Sequence, residues 1–201
     1  THIHVTKGSF RLIDSMQNKY DIDGGAKITV DNGNIEVGDV RGKRILVQDP
    51  QGRVGMSITR EHFSTLRAVN GKLVVGTVRD TVKLDAETLV VLNLIDNVKV
   101  MGKNILVYGS KVTYDVEFFL KANGKIRFYD QGSGFDISDD ATIQLENGKR
   151  IKIRDLKHAN MISNGGKDIT YEYLDNRTKK KHSKTNSFET KLSSIGKIFG
   201  K

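Results

Sequence analysis

The chain of 201 residues contains no cysteine, no tryptophan and a single proline. The lack of cysteine excludes disulfides, thiolate nucleophiles and cysteine-ligated metal sites, and it fits a reducing cytoplasm. No apolar run approaches the roughly 18 residues of a membrane-spanning helix. The first ten residues lack the apolar core of a signal peptide. We therefore expect no membrane span, no secretion through a recognisable signal, and a location in the cytoplasm or within a virion-like particle.

Glycine and asparagine are expected to form most of the turns, because the chain has 20 glycines and only one proline. Asn-Gly occurs at positions 32, 70, 123, 147 and 164. The stretch Ala141–Leu156 has the pattern of a complete β-hairpin, with apolar and polar residues alternating on both sides of Asn147-Gly148. Its apolar positions, predicted to face the core, are Ile143, Leu145, Ile151 and Ile153.

Many other short segments alternate in the same way, and they predict a mainly β fold. We expect short antiparallel strands and hairpins, arranged as a sandwich or barrel in one unit or as two small β modules. One short internal helix is predicted at Thr59–Ala68, since Phe63 and Leu66 share a helical face. His2–Ile13 is predicted to be an edge strand, or a terminal strand exchanged with a neighbour.

The charge divides the chain more sharply than its net value of +9 indicates. Residues 1–148 hold 19 basic and 19 acidic side chains, whereas residues 149–201 hold 14 basic and 5 acidic ones. We predict a β-rich body at 1–130, a second β module or a continuation of the same sheet at 131–175, and a basic C-terminal arm at 176–201. The arm ends in a short amphipathic helix.

The basic end is the predicted surface for partners, because a charge block of one sign favours contact with an anionic surface. The candidate partner-binding residues are Lys149, Arg150, Lys152 and Arg154 on the hairpin, and Lys179, Lys180, Lys181, Lys184, Phe188, Leu192, Ile195 and Phe199 in the arm.

No catalytic motif is present, so no enzymatic activity and no cofactor is predicted. Thr142–Leu156 is similar to the first hairpin of Hint domains, the fold of inteins and hedgehog autoprocessing modules. The nucleophile that should precede that hairpin is missing, and we expect no autoprocessing. The acidic residues Asp136, Asp139 and Asp140 could offer oxygen ligands to a cation, but they lack the spacing of an EF-hand loop. We predict no metal site.

Two functions lead among those that remain open from the sequence, and an enzyme or metal-dependent module built on Asp136–Asp140 is a third. The first is a non-enzymatic structural or assembly protein that contacts neighbouring subunits through its basic arm, and so forms an oligomer or larger assembly. A β-rich body with an amphipathic arm resembles components of virions and of phage tails or capsids. The alternative is a nucleic-acid-binding protein that uses the basic hairpin and the arm.

Overall fold

The computed structural model describes residues 1–43, 46–48, 50–56, 63–130, 134–159, 162–163 and 168–174. Within these residues the protein is mainly β with one short helix, which confirms the predicted β-rich class. The predicted arm, 176–201, lies outside the described residues.

In chain order the elements are β1 (His2–Val5), β2 (Phe10–Arg11), β3 (Lys27–Val30), β4 (Ile35–Glu36), β5 (Val40–Arg41), β6 (Leu46–Gln48), β7 (Val54–Met56), β8 (Ser64–Val74), β9 (Thr77–Arg79), β10 (Val82–Val91), β11 (Asn93–Ile95), β12 (Val98–Val107), β13 (Lys111–Val112), β14 (Glu117–Tyr129), β15 (Asp136–Ile137), β16 (Thr142–Leu145), β17 (Arg150–Lys152), α1 (Ile153–His158), β18 (Ile162–Ser163) and β19 (Asp168–Glu172).

The chain winds as a parallel β-solenoid. From β8 to β16 successive strands alternate between two sheets, and each of the strands β8 to β14 pairs with its equivalent one turn earlier and one turn later. The larger sheet follows the order β1, β3, β8, β10, β12, β14, β16, β17, and the smaller one the order β5, β9, β11, β13, β15. Each turn of chain, or coil, thus stacks on the one before it.

The larger sheet has two parts, because its register shifts within β10 at Ala86/Thr88 and within β12 at Gly102/Asn104. The first face consists of the strand segments before these shifts, together with β1, β3 and β16. The second face consists of the strand segments after the shifts, together with β2 and β4. The smaller sheet is the third face.

Residues that pair across coils form continuous interior columns, which explains the period-2 alternation of the sequence. On the first face one column runs Ile28, Leu66, Leu84, Val100, Phe118, Ile143. All of these residues are at most 2% exposed. Phe118 packs edge-on against Phe128 of the second face, with ring centroids 5.4 Å apart. The columns join into a single apolar core.

The predicted antiparallel sandwich or barrel is wrong for most strand pairs. From β1 to β16 the neighbours within the two main sheets pair in parallel, whereas the pairs β14–β19, β16–β17 and β18–β19 are antiparallel. The cause lies in the Asn-Gly pairs at 32, 70 and 123, which bend the chain from the first face towards the second without reversing it. A β-carbon on Gly71 would overlap the carbonyl oxygen of Gly33 in the coil above, so glycine is needed there for close stacking.

The predicted internal helix at Thr59–Ala68 is also wrong where the structure describes it. From Ser64 the chain is strand β8, with Leu66 and Ala68 buried and Arg67 exposed. Pairing with β3 on one side and β10 on the other outweighs local helix propensity. The short helix in the described residues is α1, which buries Ile153 and Leu156.

The predicted hairpin at Ala141–Leu156 is confirmed. Strands β16 and β17 pair antiparallel, with Ile143 opposite Ile151, and Gly148 takes a positive φ of 88° in the turn. The four predicted core residues, Ile143, Leu145, Ile151 and Ile153, are at most 9% exposed. Ile153 already belongs to α1, where the Asp155 carboxylate accepts a hydrogen bond from the Lys152 amide at 3.3 Å.

Candidate functional site

A groove of about 470 Å³ crosses the outer surface of the first face. The parallel register builds it, because outward residues at equivalent positions of successive strands form rows. One row is Thr65, Lys83, Lys99, Glu117, Thr142, and the other is Arg67, Asp85, Met101, Phe119, Gln144, Arg150. Phe63 closes the groove at its β8 end.

Two ammonium groups share one aromatic ring in the groove. The Nζ atoms of Lys83 and Lys99 lie 5.4 and 5.3 Å from the centroid of the Phe63 ring. Phe63 is only 6% exposed although it lies outside the solenoid core, so the lysine stems help to cover it. Cation–π attraction holds both positive charges at the surface of the groove.

The groove carries more positive than negative charge. Its ion pairs are Arg67 with Asp85, at 3.4 Å, and Lys99 with Glu117, at 3.9 Å. Two further basic side chains of the groove, Lys83 and Arg150, have no ion pair among the described residues. An anion could therefore bind here next to the apolar surface of Met101, which is 37% exposed.

The structure brings only part of the predicted basic hairpin surface to the groove. Arg150 lines it, and Lys149 is exposed beside the turn. Lys152 and Arg154 instead contact Asp140, with Lys152 Nζ 3.3 Å from Asp140 Oδ1 and Arg154 Nη2 bonded to the same oxygen. Asp140 neutralises these two cations, so they attract an anionic partner less strongly.

The acidic loop before the hairpin takes part in the same set of ion pairs. Lys157 Nζ donates to Asp139 Oδ1 at 2.8 Å and to the Ile137 carbonyl at 2.7 Å. The hydrogen bond and charge of Lys157 lower the pKa of Asp139, and hydrogen bonds from Lys152 and then Arg154 lower that of Asp140. Among the described residues no group of three or more His, Asp or Glu side chains could hold a metal ion.

The arm residues predicted to bind partners, Lys179, Lys180, Lys181, Lys184, Phe188, Leu192, Ile195 and Phe199, lie outside the described residues.

The N-terminal coil is a second candidate surface. Its interior residues Ile3, Val5, Phe10 and Leu12 are half-buried, whereas Ile28, Val30, Ile35 and Val37, which lie beneath them in the next coil, are at most 2% exposed. β1 pairs with β3 on one side, and no described strand lies on its other side. The apolar core is therefore open at this end within the described residues.

Sequence reasoning missed the groove because it missed the coil repeat. The signal was present as Leu73-Val74-Val75 followed by Asp80 and Val82-Lys83, which recurs 16 residues later as Leu89-Val90-Val91, Asp96 and Val98-Lys99. Such a period is typical of stacked coils.

Comparison with protein-family models, with curated proteins and with solved structures gave no match. The helix α1 is too short and too polar to cross a membrane, and the described residues contain no helix that could. Function therefore has to be argued from the geometry.

Proposed function

We propose that this chain is a non-enzymatic structural protein whose solenoid is one component of a larger protein assembly. The observation that carries the proposal is the parallel solenoid itself, whose coils stack around one continuous apolar core. Stacked coils present extended surfaces that suit contact with other proteins.

The buried charges support the same reading. The Asp80 and Asp168 side chains are 2% and 5% exposed, and each binds an arginine, Arg41 at 2.7 Å and Arg127 at 2.8 Å. The Arg127–Asp168 pair joins the neighbouring strands β14 and β19, and Arg41 of β5 holds Asp80 in the bend after β9. These carboxylates therefore have a structural role that accounts for their burial. A rigid body stabilised in this way suits a scaffold.

In this proposal the arm 176–201 supplies a second contact, through Phe188, Leu192, Ile195 and Phe199 on the predicted amphipathic helix. The setting we predict for the assembly is either the cytoplasm or a virion-like particle. Deletion of residues 176–201 tests the arm, with sedimentation velocity as the readout on the purified complex. Loss of the larger species is expected, and an unchanged complex would contradict the role of the arm.

The second candidate is nucleic-acid binding, favoured by the run of Lys83, Lys99 and Arg150 beside Phe63 and Phe119 in the groove. Aromatic rings and basic side chains along a β surface can contact bases and phosphates together. This candidate predicts that the log of the affinity for a mixed-sequence single-stranded oligonucleotide falls linearly with the log of the salt concentration.

Fluorescence anisotropy with Lys83→Glu and with Lys72→Glu separates the groove from general charge. Both variants change the net charge equally, but Lys72 is exposed on the second face. If the groove binds, Lys83→Glu weakens binding about tenfold more than Lys72→Glu, the equivalent of roughly 1.4 kcal/mol. Equal losses, or binding that salt does not affect, would remove this candidate.

A further inference from the structure

Two lysines lie directly beside each other in the groove of the first face. Lys83 of β10 pairs in register with Lys99 of β12, and neighbouring strands are about 4.8 Å apart. Like charges directly opposite each other on a sheet destabilise it. The two stems help to cover Phe63, but uncharged side chains of similar length would cover the ring without this repulsion. The structural role of the stems therefore does not explain the two charges.

Neither ammonium group is closely paired with a carboxylate of the groove. Lys83 has no ion pair among the described residues, and Lys99 Nζ lies 3.9 Å from Glu117 Oε2, at the limit of an ion pair. The other acidic side chain of the groove, Asp85, pairs with Arg67 at 3.4 Å. The positive charge next to Phe63 is therefore available to an anionic ligand.

The net charge of the groove matches that of a single dianionic group. Four basic and two acidic side chains line it, which leaves a net charge of +2. A phosphate monoester carries a charge of about −1.5 to −2 at pH 7. A strand of phosphodiesters that followed the row of lysines would instead meet the carboxylate of Glu117 on the strand next to Lys99. One dianionic group therefore fits the groove better than a continuous polyanion.

The type of basic side chain favours phosphate over carboxylate. The guanidinium fork of arginine suits planar, bidentate contact with a carboxylate, whereas the lysine ammonium is a rotatable point charge that suits phosphate. Both groups at Phe63 are lysines, and the nearby Arg67 is already held by Asp85. The two ammonium groups can each donate a hydrogen bond to a different oxygen of one phosphate.

The groove is apolar beside the two lysines. Met101 follows Lys99 by two residues, so both side chains leave β12 on the same side, and Phe119 pairs with Met101 from β14. Met101 is 37% exposed and Phe119 is half-buried. A thioether and a phenyl ring both make favourable contacts with an aromatic group. The groove volume of about 470 Å³ lies within the range of small-molecule sites, roughly 300–1,000 Å³.

We propose that the groove binds a phosphate monoester with an aromatic body. The phosphate lies between Lys83 and Lys99, and the ring lies on Met101 and Phe119. A free mononucleotide and the phosphorylated end of a single nucleic-acid strand both present this chemistry. The site goes beyond the assembly role proposed above and does not depend on it. It shares residues with the nucleic-acid candidate, but its ligand is a monoester and not the diester backbone.

Isothermal titration calorimetry of the full chain with phenyl phosphate tests the site. Phenyl sulfate is the matched control ligand, because it has the same shape but only one negative charge. Phenyl phosphate should bind roughly tenfold more tightly, as expected for one further charge-assisted contact. Inorganic phosphate should bind more weakly than phenyl phosphate, because it lacks the ring. Equal affinities for phenyl phosphate and phenyl sulfate overturn the dianion site, and equal affinities for phenyl phosphate and inorganic phosphate overturn the ring contact.

Three lysine variants locate the binding site. Lys83→Gln and Lys99→Gln should each weaken the binding of phenyl phosphate by about tenfold, since each removes one charged hydrogen bond. Lys72→Gln removes the same charge from an exposed position on the second face, and it should leave the affinity unchanged. Equal losses in all three variants would mean that only the overall charge matters, which overturns the site.

Two single-stranded oligonucleotides, one with a 5′-phosphate and one with a 5′-hydroxyl, distinguish the source of the ligand. If phenyl phosphate binds and the phosphorylated strand binds more tightly still, the site recognises a strand end. If the phosphorylated strand binds no more tightly than phenyl phosphate, the ligand is a free small molecule, and both results support the site. Two strands that bind equally to a chain that does not bind phenyl phosphate overturn the site and support the nucleic-acid candidate. A chain that binds none of these probes overturns both.

Discussion

The two ends of the solenoid are finished in opposite ways. At the C-terminal end the chain reverses at Asn147-Gly148, and β17, α1 and β19 cover the last coil, so that Leu156 and Ile169 are at most 3% exposed. At the N-terminal end Ile3 and Leu12 are half-buried, with no described residue above them. A stack of coils exposes apolar area at an end that nothing covers, so within the described residues the last coil is capped and the first coil is not.

The largest expected effect compares one leucine from each end. Leu156→Ala empties a fully packed site and should lower the free energy of unfolding by about 3 kcal/mol. Leu12→Ala removes a side chain that is already half in water, and it should cost about 1 kcal/mol in the monomer. Urea denaturation at low protein concentration measures both. Equal losses would mean that the N-terminal coil is as well closed as the C-terminal end.

The next effect concerns the ion pair that holds β19 onto the sheet. Arg127→Leu leaves the buried Asp168 carboxylate without its guanidinium, while the Thr170 hydroxyl still donates a hydrogen bond to Asp168 Oδ1 at 3.1 Å. We expect a loss of about 2 kcal/mol, below the value for a fully buried pair because Arg127 is 42% exposed. A double-mutant cycle with Asp168→Asn measures the coupling. A coupling near zero would show that the pair does not stabilise the C-terminal end.

A smaller effect, of opposite sign, is expected in the N-terminal half. The Ser64 hydroxyl is fully buried and has no hydrogen-bond partner among the described residues, at a position where the next two coils have Val82 and Val98. Ser64→Ala should raise the free energy of unfolding by about 1 kcal/mol. The partly exposed Thr65, next in sequence, is the control, because Thr65→Ala should change stability by less. A destabilised Ser64→Ala variant would point to a partner for the hydroxyl.

The smallest effect is a dependence on pH to which both ends contribute. The pKa of Asp140 is lowered by Lys152 and Arg154. At the other end the pKa of Glu36 is also lowered, since Lys19 and Arg11 outweigh its burial. A carboxylate with a lowered folded pKa adds stability that is present above its unfolded pKa and is lost as the pH falls through the folded value.

Thermal melts between pH 7 and pH 2 should therefore show a loss of stability that begins below about pH 4. Asp140→Asn and Glu36→Gln should each reduce that loss by a modest part, because Asp140 is exposed and Glu36 is only partly buried. A melt whose pH dependence is unchanged in both variants would show that these ion pairs do not contribute to stability.

The sequence predicted the local structure of the segments better than it predicted how the strands pair with one another. Alternation correctly predicted the β class and the inner face of the hairpin at Ile143 and Ile151. It could not distinguish a hairpin from a solenoid bend at Asn70-Gly71, because both need glycine. The difference depends on whether the following strand returns to its predecessor or continues to the next face, and residues a whole coil away decide that.

The candidate site was less predictable. The sequence showed that four hairpin residues are basic, but it could not show which of them are free to bind a partner. These residues are Lys149, Arg150, Lys152 and Arg154. Asp140 lies before the first strand of the hairpin, and only the fold places it against the second. The groove depends on residues 16 to 25 positions apart that align across coils, so it could be found only once the parallel register was known.

The difference between the two ends is tested most directly by amide hydrogen exchange of the full chain at several protein concentrations. We expect the amides of β16, paired on both sides, to exchange slowly at every concentration. The amides of His2 and His4, whose strand β1 has a neighbour on one side only among the described residues, should exchange rapidly. Protection of these two amides equal to that of β16 would contradict the difference between the two ends.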